Sequence, residues 1–147
     1  MTNSVAMNPL PTQAVELLHR VKAETDLQTQ TPSGHTLFTL YNELLDVYTA
    51  LGEEMCKRFS AKERAYISRK IAAAKHYRKG RHEEKLNVKD SEMNALELSE
   101  IQLNAEIDQA EIYEQYRTIR DSVDRAISYI RSLNSYLKIS EQLPDPR

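Results

Sequence analysis

The sequence predicts an all-α protein: a long antiparallel helical hairpin with a short N-terminal helix, coiled-coil-like and oligomerising. Three observations support this fold class. The 147 residues include only three Gly and five Pro, no Trp and 29% charged residues, a composition typical of helical proteins. Good helix formers fill the middle and the C-terminal part. Apolar residues there recur in steps of three and four, as in a heptad seam. A chain of this length is most simply one domain, 1–147.

The N-terminal part predicts one short helix between two irregular segments. Residues 1–11 are polar and contain two prolines, so we expect them to be flexible. Residues 12–28 place apolar side chains on one side of a short helix. The following stretch "TQTPSGH" (Thr29–His35) predicts a break, because Pro, Ser and Gly disfavour continuation of a helix.

Residues 36–80 predict a long basic helix. Its apolar stripe consists of Leu37, Tyr41, Leu44, Tyr48, Leu51 and Met55. Gly80 is a suitable residue to end the helix. "SAKE" at Ser60–Glu63 matches a capping box, so a break at that point is an alternative.

Residues 90–139 predict a second long helix, acidic at first and then regular in its heptads. Asp90 or Ser91 can cap its start, and the prolines of the 140–147 tail stop it. A seam this regular offers more apolar surface than one hairpin can cover, so we predict a homo-oligomer; a simple dimer is the plainest form. The residues predicted to form the oligomer contact are Ile112, Tyr116, Ile119, Val123, Ile130, Leu133 and Leu137.

Charge is distributed very unevenly, although the net charge is only −2. Residues 57–89 contain twelve Lys or Arg against three acidic residues, a local charge of +9. Residues 90–116 contain eight acidic residues and no Lys or Arg, a local charge of −8. This asymmetry predicts a polyanionic partner, self-association between opposite patches, or both. Ion pairs between the two helices of the hairpin are a third alternative.

The basic segment also contains aromatic rings, and this combination is typical of single-stranded nucleic-acid sites. Cations follow the phosphate backbone while flat rings stack on unpaired bases. The alternatives are that the charges only solvate a helix and that the rings, Phe59 above all, join the core. The residues predicted to bind nucleic acid are Lys57, Arg58, Lys62, Arg64, Tyr66, Arg69, Lys70, Lys75, Tyr77, Arg78, Lys79 and Arg81.

The sequence contains no pattern that predicts catalysis, and we expect a protein that is not an enzyme and needs no cofactor. No glycine-rich phosphate loop is present, and the four His and one Cys lack metal-ligand spacing. We also expect no membrane span and no secretory leader. The single Cys56 excludes an internal disulfide and suits a reducing compartment, so the predicted location is cytoplasmic.

Short segments along the chain occur in the same order as in one protein family. They are "LHRVKAETDL" (Leu18–Leu27), "LYNELL" (Leu40–Leu45), "HYRKG" (His76–Gly80), "KDSEM" (Lys89–Met93) and "IRSLNSYLKI" (Ile130–Ile139). This order resembles the UvsY family, the recombination mediator proteins of T4-like phages. The chain departs from the family pattern at "IAAAK", where alanines stand in place of basic residues, and at "SLNSY", which lacks a glycine.

The resemblance implies a helical protein that forms ring-like oligomers through its C-terminal helices and binds single-stranded DNA. Such a protein helps to load a RecA-like recombinase onto DNA coated with single-strand-binding protein, here in the cytoplasm of a host cell. The alternative is a coiled-coil adaptor, a virion or host-takeover factor, with no nucleic-acid role. By resemblance, the DNA-contacting positions would be Arg69, Lys70, Lys75, Arg78 and Lys79.

Overall fold

A computed structural model describes residues 8–142 of the chain and the side chains of residues 8–138. All regular structure in this range is helical, which confirms the predicted all-α class. None of the helices in the described range is long and apolar enough to cross a bilayer. The helices are α1 (Leu10–Glu24), α2 (Gly34–His82), α3 (Val88–Leu98) and α4 (Glu100–Gln142).

α1 starts and ends earlier than the predicted range 12–28. At its start, the side-chain Oδ1 of Asn8 accepts a hydrogen bond of 3.1 Å from the backbone N–H of Leu10. At its end, the backbone N–H and the hydroxyl of Thr25 both donate to the carbonyl of Val21, at 3.1 Å and 2.6 Å. Thr25 closes the last turn with its side chain, and the chain then leaves the helix.

Two predicted terminal segments lie largely outside the described residues. These are residues 1–7 of the predicted flexible segment 1–11 and residues 143–147 of the predicted tail 140–147. Of the described residues in these segments, 10 and 11 belong to α1 and 140–142 belong to α4.

α2 is one continuous helix that begins two residues before the predicted start. The Ser33 hydroxyl accepts a hydrogen bond of 3.1 Å from the backbone N–H of Thr36, as an N-cap serine does. The alternative break at "SAKE" does not occur. Ser60 instead donates its hydroxyl back to the carbonyl of Cys56 at 3.1 Å, so it is an interior helix residue and not a cap.

Gly80 does not end α2, contrary to prediction. The helix continues to His82, and the residue with a positive φ beyond it is Lys85, at 52°. A Cβ atom at Gly80 would lie 3.3 Å from the Ser91 hydroxyl oxygen. Because Gly80 has no side chain, α2 can approach the start of α3 closely at this point.

Replacing Lys85 by glycine is expected to raise the free energy of unfolding by about 0.5–1 kcal/mol. A side chain in the left-handed region is strained, whereas glycine adopts it freely. Urea denaturation of the two proteins measures the gain. Lys85→Ala is the control, because it removes the same side chain but keeps the strain; an equal gain from alanine would contradict this explanation.

The predicted helix 90–139 is interrupted, so it forms two helices. The Asn87 side chain caps α3 by accepting the Asp90 backbone N–H at 2.8 Å. Ser99 lies between α3 and α4 and donates its hydroxyl to the carbonyl of Ala95 at 2.6 Å. A serine hydroxyl that competes for a helix carbonyl is a common cause of such local interruptions.

The sequence predicts one domain, and contacts within the chain group its residues into two compact units. We call Glu54–Gln115 the middle unit. The residues before it and after it together form the terminal unit, which contains α1, the first part of α2 and most of α4.

The terminal unit has an apolar core drawn from three helices. Within it α2 and α4 are antiparallel: Tyr41 contacts Arg131, and Tyr48, later in α2, contacts Arg120, earlier in α4. The predicted residues supply much of the core. Leu40 is buried where the predicted stripe of α2 had its neighbour Tyr41, and Ile127 is buried although it was not among the predicted seam residues of α4. The buried apolar side chains are Ala14, Leu17, Val21, Leu37, Leu40, Leu44, Leu51, Tyr116, Val123, Ile127, Ile130 and Leu133.

The middle unit packs differently. α2 is again antiparallel to the helices after it, because Gly80 meets Ser91 and Phe59 meets Tyr113. All residues of this unit are described, and Ala95 is its only buried apolar side chain. The middle unit therefore leaves most of its larger apolar side chains in contact with solvent.

Candidate nucleic-acid interface

The predicted nucleic-acid-binding residues all lie on α2 in the middle unit, but they do not form one surface. Arg58, Lys62, Arg69 and Tyr77 are half-buried, and the remaining residues of the predicted set are exposed. An α-helix turns about 100° per residue, so residues with different spacing point in different directions. The predicted set therefore divides into separate groups.

One group combines rings with cations. On α2 a stripe about 60° wide contains Tyr66, Lys70, Tyr77 and Arg81. We call these four residues the ring face. Arg64, Lys75 and Arg78 point about 90–150° away from the centre of this face. Lys57 and Lys79 also lie far from it, so these five cations cannot share one short ligand segment with the rings.

Tyr66 is the first residue of the ring face and has cations beside its ring. Its residue is 40% exposed, and the Arg69 guanidinium carbon and the Lys70 ammonium nitrogen each lie 5.5 Å from its ring centroid. Cations held at a tyrosine ring are attracted by its π electrons. An unpaired base that stacked on the exposed part of this ring would bring its phosphate close to positive charge.

Tyr77 extends the ring face toward the end of α2. It lies eleven residues after Tyr66, a separation of about 16 Å along the helix. Arg81, one turn further on, donates a hydrogen bond of 2.9 Å from Nη1 to the carbonyl of Leu86. This bond holds the Arg81 side chain near the loop after α2 and leaves its charge without a carboxylate partner among the described residues.

Phe59 and Lys62 contact a residue that the sequence analysis missed. The Phe59 and Tyr113 ring centroids are 5.9 Å apart with the rings tilted by 59°. The Lys62 ammonium nitrogen lies 5.2 Å from the Tyr113 centroid. Tyr113 follows the seam residue Ile112 in the sequence, and only the antiparallel register of α2 and α4 in the middle unit brings it to Phe59.

An ion pair between the basic and acidic segments, the third alternative above, joins α2 to α4 in the middle unit. Arg69 donates from Nε to the Glu106 carboxylate, and both residues are half-buried. Two further cations, Lys57 and Arg58, pair with Glu54 on the same helix, at 3.6 Å and 3.2 Å. Within residues 8–138, ion pairs are absent from Arg64, Lys70, Lys75, Arg78 and Lys79.

The predicted oligomerisation residues lie mostly inside a single chain. Tyr116, Val123, Ile130 and Leu133 are buried in the core of the terminal unit. Ile112, Ile119 and Leu137 are half-buried. An intersubunit contact through the buried positions would require α1 or α2 to leave α4, so their predicted role in oligomerisation stays a prediction.

Comparisons with known proteins identify no relative. No family model matches the sequence, and neither the characterised proteins nor the solved structures with which it was compared give a match. Among the described residues, no three His, Cys, Asp or Glu side chains are grouped so that they could hold a metal ion. The candidate interface on α2 therefore depends on the geometry of its own residues.

Proposed function

We propose that the chain is a non-enzymatic single-stranded DNA-binding protein that acts as a recombination mediator in the host cytoplasm. In this role it helps a RecA-like recombinase to load onto DNA coated with single-strand-binding protein. The observation that carries the proposal is the exposed ring of Tyr66, with the unpaired Lys70 and the Glu106-paired Arg69 beside it, on a helix that holds further unpaired cations. The resemblance to the UvsY family supports the recombination role.

DNA binding would use the ring face. Bases stack on Tyr66 and Tyr77, while Lys70 and Arg81 contact the phosphates between and beside them. Stacking is tolerant of sequence, because every base has a flat π surface. Each copy offers only a short site, and a multimer raises the affinity through the effective concentration of its neighbouring sites. A strand held at several such sites is extended or bent, which weakens its hold on single-strand-binding protein.

Fluorescence anisotropy of a labelled oligothymidine tests DNA binding. We expect affinity to fall with salt, with a log–log slope of about −0.7 for each phosphate contacted. Tyr66→Ala is expected to weaken binding by about 5- to 150-fold, which corresponds to about 1–3 kcal/mol for one stacked base. Lys70→Ala is expected to reduce the slope by about 0.7.

Matched variants separate these effects from unfolding. Tyr66→Phe keeps the ring and should bind nearly as the original protein does. Tyr136→Ala removes an exposed tyrosine in the terminal unit and should leave DNA affinity unchanged. Absence of binding at low salt, or an equal loss with Tyr136→Ala, would contradict the proposal.

The mediator step has its own readout. On DNA coated with single-strand-binding protein, a RecA-like recombinase begins ATP hydrolysis after a delay, and the protein should shorten this delay. The Tyr66→Ala variant should not. A protein that binds DNA but leaves the delay unchanged would be a DNA-binding protein without the mediator role.

A second candidate is a coiled-coil adaptor of a virion or of host takeover. The exposed apolar side chains of the middle unit favour it, since Leu96 and Ile101 are exposed to 61% and 80%. An adaptor would cover such residues with a partner and would not need the ring face. For this candidate we expect no affinity for oligothymidine, and we expect Tyr66→Ala to leave assembly unchanged.

A further inference from the structure

The middle unit carries two exposed stripes that have the same spacing and opposite charge. On α2 the first stripe, the basic stripe, consists of Arg64, Ile67, Ile71, Lys75 and Arg78. On α4 the second, the acidic stripe, consists of Glu100, Leu103, Ile107, Glu111 and Glu114. Each stripe follows the steps three, four, four and three, and each has two apolar residues between charges of one sign.

This spacing keeps each stripe on one side of its helix. Steps of three and four average 3.5 residues per turn, the period of a helix-packing seam. Each stripe covers fourteen residue steps, or about 21 Å of helix. Each is therefore long enough for about four turns of contact with another helix.

Both stripes face solvent in a single chain. Ile67 and Ile71 are 53% and 51% exposed, and Leu103 and Ile107 are 38% and 46% exposed. Within the described residues, Arg64, Lys75, Arg78, Glu100 and Glu111 have no ion-pair partner. Neither stripe is covered by the chain that carries it, so its apolar pairs would gain from burial against another molecule.

We propose that the basic stripe of one copy packs on the acidic stripe of the next. The apolar pairs form the centre of the contact. The charges of Arg64 and Lys75 on one copy pair with those of Glu100 and Glu111 on the next. In this arrangement each copy binds one neighbour through its basic stripe and another through its acidic stripe. Repetition gives a closed ring or an open filament. This inference rests on the proposed function, which uses a multimer, and it identifies the surfaces that form that multimer.

Charge complementarity identifies the occupant as a second copy of this chain. The two surfaces match step for step in spacing and apolar content, and they carry opposite signs. The middle unit contains twelve Lys or Arg and twelve Asp or Glu, so a stack of copies accumulates no net charge in this unit. An unrelated partner of one charge would fit one stripe and leave the other exposed.

The ring face remains available in this assembly. Its four residues lie on another side of α2 from the basic stripe, about 120° away from it. Arg64, Lys75 and Arg78, which the sequence analysis assigned to DNA, serve the subunit contact instead. Self-association and DNA binding then use different residues of the same helix.

Blocking each stripe separately tests the contact. In one variant Ile67→Gln and Ile71→Gln remove the apolar pair of the basic stripe. In the other, Leu103→Gln and Ile107→Gln remove that of the acidic stripe. Sedimentation velocity without DNA should show multimers of the original protein that grow with concentration, and monomers of each variant. An equimolar mixture should give dimers and nothing larger, because each variant retains one working stripe.

Charge reversal provides a second arm. Arg64→Glu with Lys75→Glu should weaken association at least about tenfold, because like charges then oppose each other. Glu100→Lys with Glu111→Lys should do the same, and all four changes in one chain should restore association. Reversal of Asp121 and Arg125 is the matched control, since both are exposed on α4 outside the stripes.

The outcomes separate this inference from the proposed function. A monomeric original protein, or multimers that survive blocking of either stripe, would overturn the stripe contact even if DNA still bound. A mixture of blocked variants that stays monomeric would also overturn it. A Tyr66→Ala variant that loses DNA affinity but still forms multimers would support DNA binding by the ring face and leave the stripe contact unaffected. Circular dichroism confirms that each variant keeps its helices.

Discussion

Replacing Ile130 by alanine is expected to lower the free energy of unfolding by about 2–4 kcal/mol. Ile130 is 2% exposed in the core that α1, α2 and α4 form in the terminal unit. Truncation removes buried methyl groups and leaves a cavity that a packed core fills only in part. Urea denaturation measured at protein concentrations a hundredfold apart gives both the size of the loss and its dependence on association.

The concentration dependence decides between two roles for this residue. If Ile130 belongs to the core of one chain, its loss costs the same at every concentration. If the C-terminal seam joins subunits, as the sequence predicted, the loss changes with concentration because dissociation accompanies unfolding. Ile101→Ala is the matched control, since Ile101 is 80% exposed and its truncation should cost less than about 0.5 kcal/mol.

Replacing Gly80 by valine is expected to lower the free energy of unfolding by about 2–3 kcal/mol. A first side-chain carbon would already lie 3.3 Å from the Ser91 hydroxyl and 3.5 Å from a Leu86 methyl carbon. The two further methyl groups of valine must displace α3 or the loop before it, which is the cost of overpacking a close contact. Thermal unfolding followed by circular dichroism measures the loss.

Variants with smaller side chains at positions 80 and 91 show whether tight packing causes the loss of stability. Gly80→Ala should be nearly neutral, because the gain in helix propensity, about 1 kcal/mol, offsets one tight contact. Ser91→Ala alone should be neutral or stabilising, since its buried hydroxyl has no hydrogen-bond partner in the described structure. Combined with Gly80→Val it should recover part of the loss. Equal losses for alanine and valine at position 80 would point to the backbone and contradict the packing explanation.

Helical periodicity predicted most of the secondary structure, and local hydrogen bonds account for the differences. The all-α class and the long helix α2 follow from composition and from the stripe that begins at Leu37. Ser33 and Ser99 were missed as a cap and as an interruption. A serine hydroxyl bonds to whichever backbone group is nearby, so its role depends on local geometry that a stripe of apolar residues does not encode.

For the candidate site, the sequence supplies residue types and the structure supplies distances. The sequence singled out the basic residues and the two tyrosines, and the structure places Arg69 and Lys70 beside the Tyr66 ring. Their role in binding nucleic acid stays a prediction. The neutralisation of Arg69 by Glu106 depends on the register between α2 and α4, as does the approach of Tyr113 to Phe59. Register depends on contacts far apart in sequence, which no local pattern specifies.

The sequence by itself determined the helical class, the separation of charge along the chain and the apolar stripes available for packing. The tertiary structure decided which stripes are used within one chain. In the terminal unit, three helices close over Val123 and Ile130, so those side chains leave solvent. In the middle unit, Ile67 and Ile107 stay exposed, because the helices there meet through Gly80, Ser91 and the Arg69–Glu106 pair. The physical reason is that a heptad pattern gives the direction of an apolar face, whereas three-dimensional packing selects the surface that covers it.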